Sequence, residues 1–249
     1  MNAAAFPFLL GFALILFRAL GVVLVAPVLS ARMLPAPFRI GIALIAAAAA
    51  FAGAGMPSVV LPDSFFSLLG LALGESAVGI AAGLAARLIF EAALAAGQLA
   101  GLGMGFGFTA LVDPVAGVPS SALGQLFMMS ALGFAAAFGL HREAIAWLAR
   151  SVIAFPPGSG LDGATLASSV ISHSLTSVAL AVRLAFPILA VVTIGHLALG
   201  LVGRLAPQLN MGTLGFSVAI LAGGGAVYLV APPAAELVAR MAVEALTRG

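Results

Sequence analysis

Apolar residues in this chain come in long unbroken runs rather than in alternation with polar ones. The first run covers residues 3–29 and holds a single charge, Arg18. It exceeds the about 20 residues a helix needs to cross a bilayer core. It stops at Pro27 and the loop Ser30-Ala31-Arg32-Met33-Leu34-Pro35-Ala36-Pro37. A second run, 38–56, starts at Arg39 and ends at Met56-Pro57-Ser58, with Pro62 and Asp63 as further breakers. A third, 65–112, is too long for one simple span and thick with glycine; Asp113-Pro114 ends it, and Gly117-Val118-Pro119 continues the irregular stretch. A helix is predicted over about 120–139, interrupted by His141-Arg142-Glu143, then a shorter one over 144–155.

Pro156-Pro157-Gly158-Ser159-Gly160 is the clearest loop signal and divides the chain in two. Beyond it the pattern predicts a helical hairpin: 164–203, a tip at 204–210, and 211–231. Pro232-Pro233 predicts a break. The tail 234–248 carries Glu236, Arg240, Glu244 and Arg248 four residues apart, the mark of an amphipathic end helix. No strand pattern competes. The reading is an all-α integral membrane protein of long, partly broken helices.

Composition agrees. Hydrophobic residues are 63% and charged residues 7%, against about 45–50% and about 25% in soluble domains. Lipid, the apolar surface of other subunits, or both must solvate this chain. The pI of 10.4 follows from ten Arg and no Lys at a net charge of only +2. The basic residues are scattered, so no nucleic-acid partner is expected. With no Cys, disulfides, thiolate metal sites and Cys nucleophiles are excluded. The start, MNAAAFPF, lacks a basic n-region and predicts a retained span. Arg32 and Arg39 after the first run, against Asp63 after the second, place 30–39 on the cytoplasmic side and the amino terminus outside. Arg204 suggests a cytoplasmic hairpin tip.

Glycines recur four apart at Gly70/Gly74, Gly79/Gly83 and Gly97/Gly101/Gly105. Such faces let helix backbones approach closely, within the chain or against other chains. In Gly101-Leu102-Gly103-Met104-Gly105-Phe106-Gly107-Phe108 glycine falls at every second position, which no helix face requires. At about 1 kcal/mol each, four glycines weaken a helix by roughly 4 kcal/mol. The stretch is poised to bend or unwind; if extended, Leu102, Met104, Phe106 and Phe108 would point one way. A flexible plug and a kinked helix without a gating role both fit.

Four charges, Glu75, Arg87, Glu91 and Arg183, lie in apolar stretches and are read as buried. A central charge costs about 2.5–3.5 kcal/mol on insertion scales. The tract 65–85 is therefore only marginally stable in lipid alone. Arg87 and Glu91, one turn apart, can pair; a proton relay or ion site and a structural pair both remain open. His141-Arg142-Glu143 is not a zinc-protease motif, and His173 and His196 lack carboxylates at ligand spacing. Ser172 and Ser174 flank His173 but cannot face it on a helix. No phosphate-binding loop exists. Neither catalysis, cofactor nor metal is expected.

Three segments in order, APVLSARMLPAPFRIGIAL (26–44), GQLAGLGMGFGFTALVDP (97–114) and GRLAPQLNMGTLGF (203–216), resemble the FliR family. This is the flagellar type III export-gate subunit, whose virulence counterpart is SctT. The resemblance implies a closed helical assembly with FliP-like and FliQ-like subunits, onto which an FlhB-like subunit docks. That assembly would be the entry pore for unfolded export substrates, in the bacterial inner membrane at the flagellar basal body. Much of it would sit above the membrane plane, with helices that are not conventional spans. The family's plug would map onto Gly101 to Asp113 and Pro114, with Met104, Phe106 and Phe108 as blocking side chains. The hairpin 164–231 resembles FliQ, and its tip, Arg204, Pro207, Gln208 and Asn210, would face the cytoplasm and FlhB. Two departures stand out: 101–108 holds more glycine than the family pattern, and lysine is absent. Two other functions remain: a secondary transporter using the four charges, although no internal repeat is evident, and a membrane scaffold. An injectisome rather than a flagellum is a further alternative.

Overall fold

The computed structural model describes residues 5–27, 29, 35–106, 122–159, 163–206, 208 and 211–248. Those residues are helices and the turns joining them: α1 (Phe6–Val25), α2 (Ala36–Gly53), α3 (Phe65–Gly103), α4 (Ala122–Ala137), α5 (Leu140–Ala154), α6 (Gly163–Leu205) and α7 (Met211–Arg248). Among them α1, α2, α3, α6 and α7 are long and apolar enough to cross a membrane, and the broken pair α4–α5 would make a sixth span. The chain is thus an all-α integral membrane protein.

The helices divide into two compact units. One holds Met1–Leu88, Ala136–Ser174 and Met241–Gly249; the other holds Ile89–Ala135 and Leu175–Arg240. In the first unit α1 packs on α2, and both touch α5. Leu14, Ile15, Ala43, Ala47 and Leu148 are buried there, and Phe12 meets Phe51 edge to face. The first half of α3 crosses α1 at backbone contact. A methyl on Gly79 would lie 2.0 Å from the Arg18 carbonyl oxygen, and one on Gly21 would lie 2.6 Å from that of Ser76. A methyl on Gly83 would lie 2.9 Å from Val25 Cβ and 3.2 Å from both the Ala26 nitrogen and the Val22 carbonyl oxygen. Small residues are what permits such an approach between membrane helices.

In the second unit the end of α3 meets α4 in the same way, Gly97 lying against Gly124. There α6 and α7 form the expected hairpin, Gly195 against Val218. Two of the three glycine faces are therefore used for packing within the chain. Gly70 and Gly74 meet nothing within 4 Å.

Three expectations are corrected. The α4–α5 break falls at Gly139, two residues ahead of His141. A backbone φ of +79° there costs glycine nothing and other residues much, so glycine sets the break and the charged trio joins the first turn of α5. Pro232 and Pro233 do not end the helix, which runs unbroken to Arg248. Each proline removes one donor, yet membrane helices absorb such losses through neighbours and small local adjustments. The segment 234–248 is the end of α7, not a separate helix; Glu236 and Arg240 pair there at 2.6 Å. The third correction concerns the glycine-rich stretch at the end of α3.

Candidate functional site

The glycine-rich stretch begins as helix. Through Gly103 it belongs to α3, and residues 104–106 make a turn. The Gly105 N–H donates to the Leu102 carbonyl at 3.0 Å and the Phe106 N–H to the Gly101 carbonyl at 2.9 Å. With Gly105 at φ +88°, this is a Schellman cap, which satisfies carbonyls the helix end leaves open. The extended arrangement of Leu102, Met104 and Phe106 is thereby corrected: the capping bonds stabilise the helix end where propensity alone predicts unwinding. Gly107, Phe108, Asp113 and Pro114 lie outside the described residues.

Gly103, Met104, Gly105 and Phe106 each meet the α6–α7 hairpin. Gly103 makes room for Leu189, whose Cδ2 would lie 2.7 Å from an added methyl. Met104 is buried and fills a notch at Gly223, where a methyl would lie 2.6 Å from its Cγ. The Phe106 ring meets that of Phe216 edge to face, centroids 6.4 Å apart. At the hairpin tip Arg204 closes the last turn of α6 and Gln208 is exposed in a turn. Pro207 and Asn210 lie outside the described residues.

A second constellation lies in the other unit, around the lone charge of the first span. Arg18 is 1% exposed. Its Nε donates to Glu75 Oε2 at 2.7 Å, and Nη2 lies 2.6 Å from the same oxygen in an ion pair. Its Nη1 donates to the Ser151 carbonyl at 2.9 Å and to Ser151 Oγ at 3.2 Å, and Nη2 also reaches the Phe155 carbonyl at 3.0 Å. Glu75 Oε1 accepts the Gly158 N–H at 2.9 Å. One guanidinium thus ties α1 to α3, to α5 and to the loop after α5. Buried charges persist when paired and fully hydrogen-bonded, and this pair is both. A cavity of about 150 Å³ lies beside it, lined by Arg18, Gly70, Leu71, Gly74, Glu75, Val78 and Ser159.

The four charges predicted to be buried are not alike. Glu75 is buried, Glu91 is half-buried, and Arg87 and Arg183 are exposed on this chain, which corrects the reading for both arginines. Arg87 lies twelve residues beyond Glu75 on α3, about 120° further round the helix; the face that turns Glu75 to α1 turns Arg87 away. Arg18 was missed as a partner. Its signal was its isolation: a charge in the middle of an apolar run needs an opposite charge, and Glu75 and Glu91 were the carboxylates that lay within apolar tracts.

Residues 9–245 match the family described as bacterial export proteins, family 1. The chain is similar to the flagellar biosynthetic protein FliR of Escherichia coli K12, with 30% identity over 209 residues, covering 84% of this chain and 79% of that protein. It is also similar to FliR of Bacillus subtilis, 28% identical over 84% of this chain and 81% of the relative, and to FliR of Caulobacter vibrioides, 27% identical over 85% and 84%.

Proposed function

The chain belongs to family 1 of the bacterial export proteins and is a membrane component of a flagellar export apparatus; from that premise we propose that it is a core subunit of the export gate. In this reading it forms part of a gated protein-conducting channel with FliP-like and FliQ-like subunits, in the bacterial inner membrane. An FlhB-like subunit meets the hairpin tip, and unfolded export substrates pass through. The flagellar names of its relatives favour a flagellum over an injectisome.

One observation carries the proposal. Within the second unit α6 exposes Leu175, Val178, Val182, Phe186, Ile194, Leu197, Leu201 and Leu205. At about 1.5 Å per residue this apolar face is about 45 Å long. The hydrocarbon core is about 30 Å thick. Containing the face would need a tilt of about 48°, beyond the about 0–40° range of membrane helices. Lipid alone does not cover it, so other apolar subunits must. The gating part is assigned to the glycine-rich stretch from Gly101 to Pro114, of which Met104 and Phe106 stand at the described end of α3.

The test is co-expression with tagged FliP-like and FliQ-like subunits, followed by reconstitution. The chain is expected to co-purify with both, and shortening 101–113 is expected to open the assembly to ions. A stable monomer in detergent that binds neither subunit refutes the assembly. Unchanged conductance after the shortening refutes the gate.

A further inference from the structure

Within α7, Gly223, Gly224 and Gly225 follow one another, and Pro232 and Pro233 stand about two turns further on. No other described helix concentrates helix-weakening residues so closely. The three glycines differ in surroundings. An added methyl on Gly223 would lie 2.6 Å from Met104 Cγ and 2.8 Å from both Sδ and Cε, whereas around Gly224 and Gly225 nothing comes within 4 Å. The weak stretch is therefore met on one face by a buried thioether and open beside it.

We propose that Gly223–Gly225 is a hinge in α7 and that Met104, lodged on its first glycine, is the brace that holds it straight. The proposal rests on the channel reading above and deepens it. The Schellman cap fixes where Met104 stands, and Leu189 over Gly103 and Phe216 against Phe106 hold that cap on the hairpin. Bending α7 at the glycines moves the floor of the notch and expels Met104. Withdrawing Met104 removes what keeps the glycines straight. Methionine suits this reversible seat: it is unbranched, with several rotatable bonds and no hydrogen bond to break. The end of α3 and the second helix of the hairpin are thus one mechanical element, and a force on either is felt by the other.

Two variants test this in cells carrying the complete export apparatus. Gly224→Ala with Gly225→Ala stiffens the helix with methyls for which the chain has room. Assembly is expected at the unmodified yield, and secretion of a reporter-fused cargo to fall at least tenfold. Met104→Cys introduces the only cysteine of the chain. Maleimide labelling of that position, read as a gel shift of this chain, is expected at least tenfold faster during export than at rest. Undiminished secretion by the assembled double alanine variant overturns the hinge, and equal labelling in the two states overturns the brace. Where the alanines prevent assembly, the labelling decides alone. Failure of the unmodified chain to co-purify with its partners sinks the channel reading instead, a result separate from either arm.

Discussion

Replacing Arg18 by methionine should be among the most damaging single changes available in the first unit. The substitution keeps an unbranched apolar stem and removes every donor of the guanidinium. Glu75, 5% exposed, would keep only the Gly158 N–H. Breaking a buried ion pair from one side costs about 3–5 kcal/mol, because the remaining charge is uncompensated. The Phe155 carbonyl loses its Arg18 donor as well, whereas that of Ser151 keeps the Phe155 N–H. For a chain of this size about 3–5 kcal/mol corresponds to a midpoint about 6–20 °C lower. Thermal unfolding of the purified assembly in detergent, followed by size-exclusion of this chain, reads the shift.

The double variant Arg18→Met with Glu75→Met separates charge from packing. Removing both partners leaves no unpaired ion. Its cost is the orphaned Gly158 N–H and Phe155 carbonyl, about 1–3 kcal/mol each. The single losses would sum to about 6–10 kcal/mol if independent; the double should lose no more than either single, a coupling of about 3 kcal/mol or more. Singles that lower the midpoint by less than about 4 °C, or a double equal to their sum, would refute the reasoning.

The glycine faces make a paired test. Gly79→Ala places a methyl 2.0 Å from a backbone oxygen of α1, which only separation of the helices relieves, at about 1–3 kcal/mol; Gly74→Ala meets nothing within 4 Å and should leave the chain's own thermal midpoint unchanged or higher. A loss of co-purification by Gly74→Ala at unchanged chain stability would place a partner on that face. Phe216→Leu keeps apolar bulk but loses the edge-to-face ring contact with Phe106, worth about 0.5–1.5 kcal/mol beyond its area. The same thermal assay should show a fall of about 1–6 °C, and Phe106→Leu added to it should cost little more.

Helix positions were legible in the sequence because lipid imposes one rule on every span: about 20 apolar residues with internally satisfied backbone. Runs at 3–29, 38–56 and 164–203 could hardly be anything else, and α1, α2 and α6 overlie them. Helix ends were less legible. The sequence marks Pro232-Pro233 as a breaker and Gly139 as unremarkable, yet the helix continues through the first and breaks at the second. A missing donor is a loss the surroundings can offset, whereas a left-handed φ is a direction the chain must take or not, and only the fold decides where it is needed.

The same distinction explains what pattern alone could not say about Gly101 to Phe106. Propensity treats each glycine as a weakened helical residue, and by that measure 101, 103 and 105 are equivalent. In the folded chain they differ. Gly101 offers its carbonyl to the cap, Gly103 clears space for Leu189, and Gly105 supplies the left-handed turn. The role of Gly103, and the seat of Met104 between them, depend on residues 80 or more positions away, Leu189 and Gly223, on helices whose register no local signal fixes. Arg18 and Glu75 are likewise 57 residues apart. A charge at that place requires a partner, because an unpaired guanidinium cannot remain in an apolar bundle. Which of two carboxylates would answer it depended on the face of α3 that Gly79 and Gly83 press onto α1, and that face was written in the spacing of the glycines: Glu75, Gly79 and Gly83 stand four apart, so the side chain that meets Arg18 and the notches that admit α1 lie on one stripe.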